Sequence, residues 1–226
     1  MDEPFADRAE AGRALAQRLV AMRLPRPIVV LALPRGGVPV AAEVARALKV
    51  PMDLLLVRKI GAPWEPELAI AAVVDGTPPE VVVDEEAASA SGVDSDDMHA
   101  DVERAVQEIG RRRRVYLRGR APLPVRGAIA IVVDDGIATG TTMRAALKAL
   151  RKRQPARLVL AVPVAAGDTL AALRPEVDDI VCLKQPLPFR AVGLHFDDFH
   201  QVDDDEVIAA LDAVGRELQP HPEAHR

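Results

Sequence analysis

The segment that most constrains the fold of this chain runs from residue 129 to residue 142. An apolar run over 129–133 leads into two adjacent carboxylates, Asp134 and Asp135, and a loop of glycine and threonine follows. Helix-forming residues begin at Thr141. The pattern predicts a buried strand, a turn rich in backbone N–H and hydroxyl groups, and the N-terminus of a helix. A strand and a helix joined in this way are typical of a parallel sheet covered by helices.

The same segment offers hydrogen-bonding groups for a phosphorylated sugar. The first N–H groups of a helix have no partner inside the helix, so they bind a phosphate readily. Two carboxylates at the end of a strand can accept hydrogen bonds from neighbouring sugar hydroxyls. A phosphate site beside a diol site describes a ribose 5-phosphate pocket. The alternative is a strand end with an Asx-turn and a threonine-capped helix, although capping needs only one of these groups.

Residues 129–142 closely resemble the 5-phosphoribosyl-1-pyrophosphate (PRPP) motif of the type I phosphoribosyltransferases. In that family, apolar residues precede two acids, a few variable residues and Thr-Gly-Gly-Thr or Thr-Gly-Thr-Thr, and every position is met here. The resemblance implies that Asp134 and Asp135 bind the ribose hydroxyls and act in catalysis. It also implies that the 5-phosphate is bound by the loop of Gly136, Ile137, Ala138, Thr139, Gly140, Thr141 and Thr142.

The rest of the chain alternates between strand and helix patterns. Apolar residues make up 49% of the chain and aromatic residues only 3%, so a core of Val, Leu, Ile and Ala is expected, as in buried parallel strands. Residues 58–67, which contain glycine, proline and Trp64, are predicted to form a loop. The predicted strands cover 28–33, 51–57, 68–75, 80–84, 128–133, 157–164 and 179–183. The predicted helices cover 5–21, 38–48, 94–114, 141–153, 168–174 and a final segment after a capping box at Asp203.

We therefore predict an α/β fold, with a parallel twisted sheet and helices on both faces. The resemblance implies the type I phosphoribosyltransferase fold, which adds a small hood over the site. A single phosphoribosyltransferase-like domain is expected over residues 1–220, with its core at about 26–183. We expect a helical insertion at about 94–118, a hood and C-terminal helix at about 184–218, and a disordered tail at 221–226.

A second turn of interest, Pro34-Arg35-Gly36-Gly37, follows the first predicted strand. Its two glycines allow the backbone to approach an anion closely, and Arg35 adds a permanent positive charge. The alternative is an ordinary β-turn with a surface arginine. Beside the PRPP motif, the resemblance implies that Pro34, Arg35, Gly36 and Gly37 bind the pyrophosphate of PRPP, in a loop that often contains a cis peptide bond.

A basic pair, Arg58 and Lys59, follows the second predicted strand. The resemblance implies that such a pair precedes a mobile loop that closes over the site. Both residues are expected to act in catalysis, because fixed cations stabilise a departing pyrophosphate. Trp64 and Glu67 could help this loop to exclude water, or they could serve only as loop packing.

The sequence leaves the acceptor of the phosphoribosyl group open. In the family a hood holds the nucleobase, and residues 184–201 are the candidate here because they lack a clear periodicity and carry several aromatic residues. Phe189 or Phe196 could stack on a flat base, or both could only anchor the final helix. This stretch does not match the base-reading pattern of one particular relative.

Charge and composition argue against several classes of protein. The net charge of −5 disfavours nucleic acid as a partner. We interpret the run Arg111–Arg114 as a solvated helix end, where cations are favourable. The N-terminus lacks the apolar core of a signal peptide, and no segment is long enough to cross a membrane, so a cytoplasmic protein is expected. No Cys/His cluster has the spacing of a metal site.

The resemblance as a whole implies transfer of the 5-phosphoribosyl group from PRPP to a small nitrogen acceptor, with a nucleobase expected, as in nucleotide salvage. Mg²⁺ is the implied cofactor, and it would bind through PRPP oxygens and water near Asp134 and Asp135, without direct protein ligands. A homodimer is also implied. The alternative is a PRPP- or nucleotide-binding regulatory module without transferase activity. Other phosphate-binding α/β enzymes are disfavoured, because the chain lacks the Gly-x-x-x-x-Gly-Lys-Ser/Thr and Gly-x-Gly-x-x-Gly motifs.

Overall fold

The computed structural model of the chain describes residues 3–62, 64–93 and 98–218, except for the side chains of residues 66 and 67. The predicted tail at 221–226 lies outside this range. The strands are β1 (Ile28–Ala32), β2 (Met52–Leu54), β3 (Val57–Ala62), β4 (Glu65–Val74), β5 (Glu80–Val83), β6 (Ile129–Val133), β7 (Arg157–Val164) and β8 (Asp179–Lys184). The α-helices are α1 (Arg8–Ala21), α2 (Gly37–Leu48), α3 (Glu85–Ser91), α4 (His99–Leu117), α5 (Thr141–Lys152), α6 (Gly167–Leu173) and α7 (Asp204–Glu217).

Five strands form a parallel sheet in the order β2-β1-β6-β7-β8. β1 and β6 are neighbours, and Ala32 lies opposite Val133 at their C-terminal ends. Every residue of these two strands is buried, and alternate side chains face opposite sides of the sheet. One side packs against α1, α2 and α7, and the other packs against α5. The predicted α/β fold, with a parallel sheet and helices on both faces, is confirmed.

The strands β3, β4 and β5 form a separate antiparallel sheet. The loop predicted at 58–67 is therefore wrong, because residues 58–62 belong to β3 and residues 65–67 begin β4. Gly61 lies where the β3–β4 register shifts, so this glycine marks a β-bulge. Ile60 is only 4% exposed, since packing against α4 buries the strand, and short-range turn signals carry no information on that contact. Trp64 is 64% exposed between β3 and β4, and the side chain of Glu67 lies outside the described residues.

The helices begin and end close to their predicted positions. The predicted capping box is present at α7, where Asp203 accepts a hydrogen bond from the backbone N–H of Glu206 and the Glu206 side chain accepts one from the backbone N–H of Asp203, both at 2.8 Å. The short helix α3 was not predicted, and it begins after Asp84, whose side chain accepts a hydrogen bond from the backbone N–H of Ala87. Within the part of the chain that the structure describes, no helix combines the length and apolar character needed to cross a membrane.

Helix α4, the predicted insertion, is joined to the core by a buried ion cluster. Arg113 forms ion pairs with Asp53 and Asp75, which are 6% and 4% exposed. Burial raises the pKa of Asp75, and the positive charges of Arg113 and Arg153 oppose that rise. Arg113 is mostly enclosed by these partners. The interpretation of Arg111–Arg114 as a solvated helix end is therefore wrong for Arg113.

We expect Arg113→Ala to lower the free energy of unfolding by about 3–5 kcal/mol, because it leaves buried carboxylates without their partner. Arg114→Ala is the matched control, since this next arginine on α4 is exposed, and its effect should be within about 0.5 kcal/mol. Urea denaturation of the wild type and both variants measures the difference. Equal stability of the two variants would contradict the role given to the ion cluster.

Candidate active site

Two loops meet at the C-terminal ends of β1 and β6, which is where ligands bind in open parallel sheets. The backbone N–H of Leu33 donates to the carbonyl oxygen of Val133 at 2.9 Å. A Cβ on Gly36 would lie 2.0 Å from Oδ2 of Asp135, and a Cβ on Gly37 would lie 2.8 Å from the carbonyl oxygen of Val133. Both positions therefore require glycine, and the turn after β1 lies directly against the acids after β6.

Asp134 and Asp135, which we call the acid pair, follow the last residue of β6. The backbone N–H of Asp135 donates to Oδ1 of Asp134 at 2.9 Å. Burial raises the pKa of both carboxyls, and the negative charge of Asp135 raises the pKa of Asp134 further. Burial therefore makes the ionised form of the pair costly. Hydrogen-bond donors such as sugar hydroxyls would favour its ionised form.

Arg8, which no sequence motif marks, is bound to the acid pair. Its Nε donates to Oδ2 of Asp135 at 2.8 Å, and its Nη1 donates to the carbonyl oxygen of His200 at 2.8 Å. Its guanidinium carbon lies 3.9 Å from the ring centroid of Phe199. The hydrogen bond and charge of Arg8 oppose the rise in the pKa of Asp135. One sequence signal could have identified Arg8, namely its place in the first turn of a helix, where a cation is unfavourable.

The predicted phosphate loop connects the acid pair to α5. The backbone N–H of Ile137 donates to the carbonyl oxygen of Val164 at 3.0 Å, which fixes the loop against the end of β7. Oγ1 of Thr169 donates to the carbonyl oxygen of Ala138 at 2.6 Å. Gly140, with a φ of +74°, precedes α5, and no side chain of the described residues caps this helix. The first N–H groups of α5 are therefore available to an anion.

A pocket of about 370 Å³ lies beside the acid pair. The Pro34–Arg35 peptide bond in its vicinity is cis, and Nη1 of Arg35 lies 3.6 Å from Oδ1 of Asp204. The pocket is bordered by four parts of the chain, namely Arg8, the turn that contains Arg35 and Gly36, the loop that contains Asp135, and residues 199–202. It therefore joins the turn after β1, the acid pair and the segment that precedes α7.

Of the predicted basic pair, Arg58 lies near both loops. It lines a small pocket of about 30 Å³ together with Pro34, Thr142 and Arg112 of α4. Consecutive residues of a strand face opposite sides, so Lys59 lies on the other face of β3. Arg58 and Arg112 thus border the same small pocket at the turn after β1, where Nε of Arg112 donates to Oε1 of Glu108 at 2.7 Å. No pattern in the sequence indicated Arg112, because the contact depends on how α4 packs.

The predicted hood, residues 184–201, buries one of its aromatic rings, that of Phe196. Phe196 is 6% exposed, and its ring centroid lies 5.7 Å from that of Phe5 and 5.1 Å from that of Phe199. This burial argues against the predicted stacking of Phe196 on a base. The cause is a contact with the N-terminal segment, which is far away in sequence. Phe189 is half-buried and lies 6.0 Å from the ring of His195.

Comparison with known proteins supports one family. Residues 7–197 match the family described as the phosphoribosyl transferase domain. Proteins from two strains of Mycobacterium tuberculosis, each named as a candidate phosphoribosyl transferase, are 44% identical over 214 residues, which cover 95% of this chain and 48% of theirs. The chain thus spans about half the length of these curated relatives. A crystal structure of a protein from Thermus thermophilus is similar with a TM-score of 0.81 and 40% identity, covering 92% of this chain and 97% of the other.

We expect Gly37→Ala to destabilise the protein by about 1–3 kcal/mol, because the new methyl group would meet backbone atoms of Val133 and Asp134 that cannot move independently. Gly215→Ala in α7 is the control. Apart from the backbone of its own helix and its chain neighbours, no atom of the described residues lies within 4 Å of its new methyl group, so it should stabilise the protein by about 0.5–1 kcal/mol. Urea denaturation measures both changes. A Gly37→Ala variant as stable as the control would show that the turn does not press against β6.

Proposed function

Since the chain belongs to the type I phosphoribosyltransferase family, we propose that it transfers the 5-phosphoribosyl group from PRPP to a nitrogen acceptor and releases pyrophosphate. The observation that carries this proposal is the close approach of Gly36 and Gly37 to the acid pair. It places a turn suited to an anion directly beside carboxylates suited to a diol. Transfer from C1 of a ribose needs both groups at that distance, because the leaving pyrophosphate is attached next to the 2-hydroxyl.

The acid pair and the phosphate loop would hold the ribose 5-phosphate part of PRPP. Asp134 and Asp135 would accept hydrogen bonds from the ribose hydroxyls, and their negative charge would lie near the positive charge that develops on the ring. Residues 136–142 would bind the 5-phosphate through the N-terminus of α5. This phosphate is remote from the reacting carbon, so its binding energy helps to position the ring.

Pyrophosphate is assigned to the turn of Pro34, Arg35, Gly36 and Gly37. The backbone N–H groups of Arg35 and Gly36 and the Arg35 guanidinium are donors for phosphate oxygens, whereas the N–H of Gly37 donates to the carbonyl oxygen of Leu33 at 3.1 Å. Arg58 and Arg112 border the same turn, so they would stabilise the charge that builds up as the bond to C1 breaks. Lys59 is the weaker candidate, since the alternation of β3 directs it to the other face.

Mg²⁺ fits this site as a cofactor that is bound mainly by oxygens of the substrate. Within the described residues, no three His, Cys, Asp or Glu side chains form a metal site. Mg²⁺ in proteins usually keeps several waters and binds through one or two carboxylates and substrate phosphates. Asp134 and Asp135 supply carboxylate oxygens of this kind, and they would hold the ion through water. When bound, Mg²⁺ would neutralise negative charge on the leaving pyrophosphate.

The acceptor would enter through the pocket of about 370 Å³ beside Asp135, a volume in the range of small-molecule sites. A nucleobase is the first class to test, because the family resemblance implies it. Phe189 remains the aromatic candidate for a base contact, whereas Phe196 is buried. A homodimeric assembly and a cytoplasmic location also remain predictions of the resemblance.

The decisive experiment mixes the protein with PRPP, Mg²⁺ and a panel of purines, pyrimidines and other nitrogen heterocycles, and it measures pyrophosphate release. The variant that carries both Asp134→Asn and Asp135→Asn should turn over about 10²–10³-fold more slowly, because the charges that stabilise the transition state are gone. Its fold should persist, because asparagine has the shape of aspartate and keeps an oxygen that can accept from Nε of Arg8.

The control variant carries Asp178→Asn and Asp179→Asn, another adjacent pair, which lies at the start of β8. It should retain turnover even if its stability falls, because this pair forms ion pairs with Arg151 and Arg157. Unchanged turnover and unchanged PRPP affinity in the Asp134/Asp135 variant would overturn the ribose assignment. Tight PRPP binding with no release of pyrophosphate in the presence of any acceptor would favour the regulatory module.

A further inference from the structure

Arg8 occupies a position that helix energetics do not favour. It is the first residue of α1 and follows the N-cap Asp7. The partial positive charge at a helix N-terminus disfavours a cation there. Arg8 is nevertheless only 7% exposed, although burying a charged side chain is costly without partners. A residue in this place must therefore obtain its stabilisation from contacts outside its own helix.

Those contacts all lie at the candidate active site. Nε of Arg8 donates to Oδ2 of Asp135 at 2.8 Å, and Nη1 donates to the carbonyl oxygen of His200 at 2.8 Å. The ring of Phe199 covers one face of the guanidinium at 3.9 Å. Arg8 thus connects the acid pair with the segment that forms one wall of the adjacent pocket.

Arg8 and Gly36 both lie against the same carboxylate oxygen of Asp135, Oδ2. Arg8 takes Oδ2, and Gly36 also lies closest to Oδ2, because a Cβ on Gly36 would be 2.0 Å from that atom and 3.1 Å from Oδ1. The carboxylate is therefore fixed by its Oδ2 side. Since Arg8 carries a permanent charge, it also favours the ionised form of Asp135.

We propose that Arg8 is a positioning residue for the ribose subsite. Arg8 holds Asp135 by Oδ2, so that Oδ1 receives the ribose hydroxyl. This inference rests on the proposed function, because it assumes that the acid pair binds a ribose. Arg8 acts through Asp135 and makes no contact with the sugar. Removal of Arg8 should therefore weaken ligands that contain the ribose and leave pyrophosphate binding unchanged.

The test is calorimetric binding of two probes, ribose 5-phosphate and inorganic pyrophosphate, with Mg²⁺ present. Arg8→Gln should weaken ribose 5-phosphate binding about tenfold, the usual effect of losing one hydrogen bond to a charged group, with pyrophosphate affinity unchanged. Arg8→Lys keeps the charge and should recover part of the loss. Arg13→Gln is the matched control, because Arg13 is an exposed arginine on the same helix.

A double-mutant cycle with Asp135→Asn separates positioning from a general structural effect. If Arg8 acts through Asp135, adding Arg8→Gln to Asp135→Asn should cause no further loss of ribose 5-phosphate affinity. An additive loss would overturn the proposal, as would equal weakening of both probes or no weakening in Arg8→Gln. If Arg8→Gln does not fold, Arg8→Lys takes its place in the cycle, under the same criteria. Wild-type protein that binds neither probe would instead overturn the proposed function on which the inference rests.

Discussion

The parallel pairing of β1 with β6 is the constraint on which the candidate site depends. Because Ala32 and Val133 lie opposite each other, β1 and β6 end at the same edge of the sheet, and the loops that follow them begin side by side. The turn after β1 then has no room for a side chain at its two glycines, since a Cβ on Gly36 or Gly37 would meet the acid pair or the backbone of β6. A shift of one residue in this register would separate the turn that we propose to bind pyrophosphate from the carboxylates, and each part alone would be an ordinary loop.

Segments outside the parallel sheet complete this arrangement. The N-terminal segment brings Arg8 to Asp135 and Phe5 to Phe196, so the first residues of the chain hold both the acid pair and the hood. Helix α4 brings Arg112 to the opposite side of the site, beside Arg58. The buried ion cluster of Arg113 with Asp53 and Asp75 fixes the helix there. Neighbouring arginines on one helix thus serve different purposes, one at the site and one in the core.

The features that the sequence predicts well are those with local signals. The apolar runs of β1 and β6 and the capping box at Asp203 are read from adjacent residues, and the acid pair and the two glycine turns follow from the same local patterns. The features that it does not predict depend on contacts between distant residues. The β3–β4 hairpin is stabilised by packing against α4, a contact that the local sequence does not show. Gly61 therefore indicated a loop, whereas the structure has a β-bulge there. Phe196 is buried by a residue near the other end of the chain. Arg8 shows no motif at all, because its partners are residues 135, 199 and 200.

A crystal structure with ribose 5-phosphate bound tests the central claim most directly. The claim is that the loop after β6 and the acid pair form one pocket for a phosphorylated ribose. The predicted result is a phosphate bound to backbone N–H groups within residues 136–142, with ribose hydroxyls at hydrogen-bond distance from the carboxylates of Asp134 and Asp135. A phosphate bound elsewhere, or a ribose that leaves both carboxylates untouched, would contradict the claim.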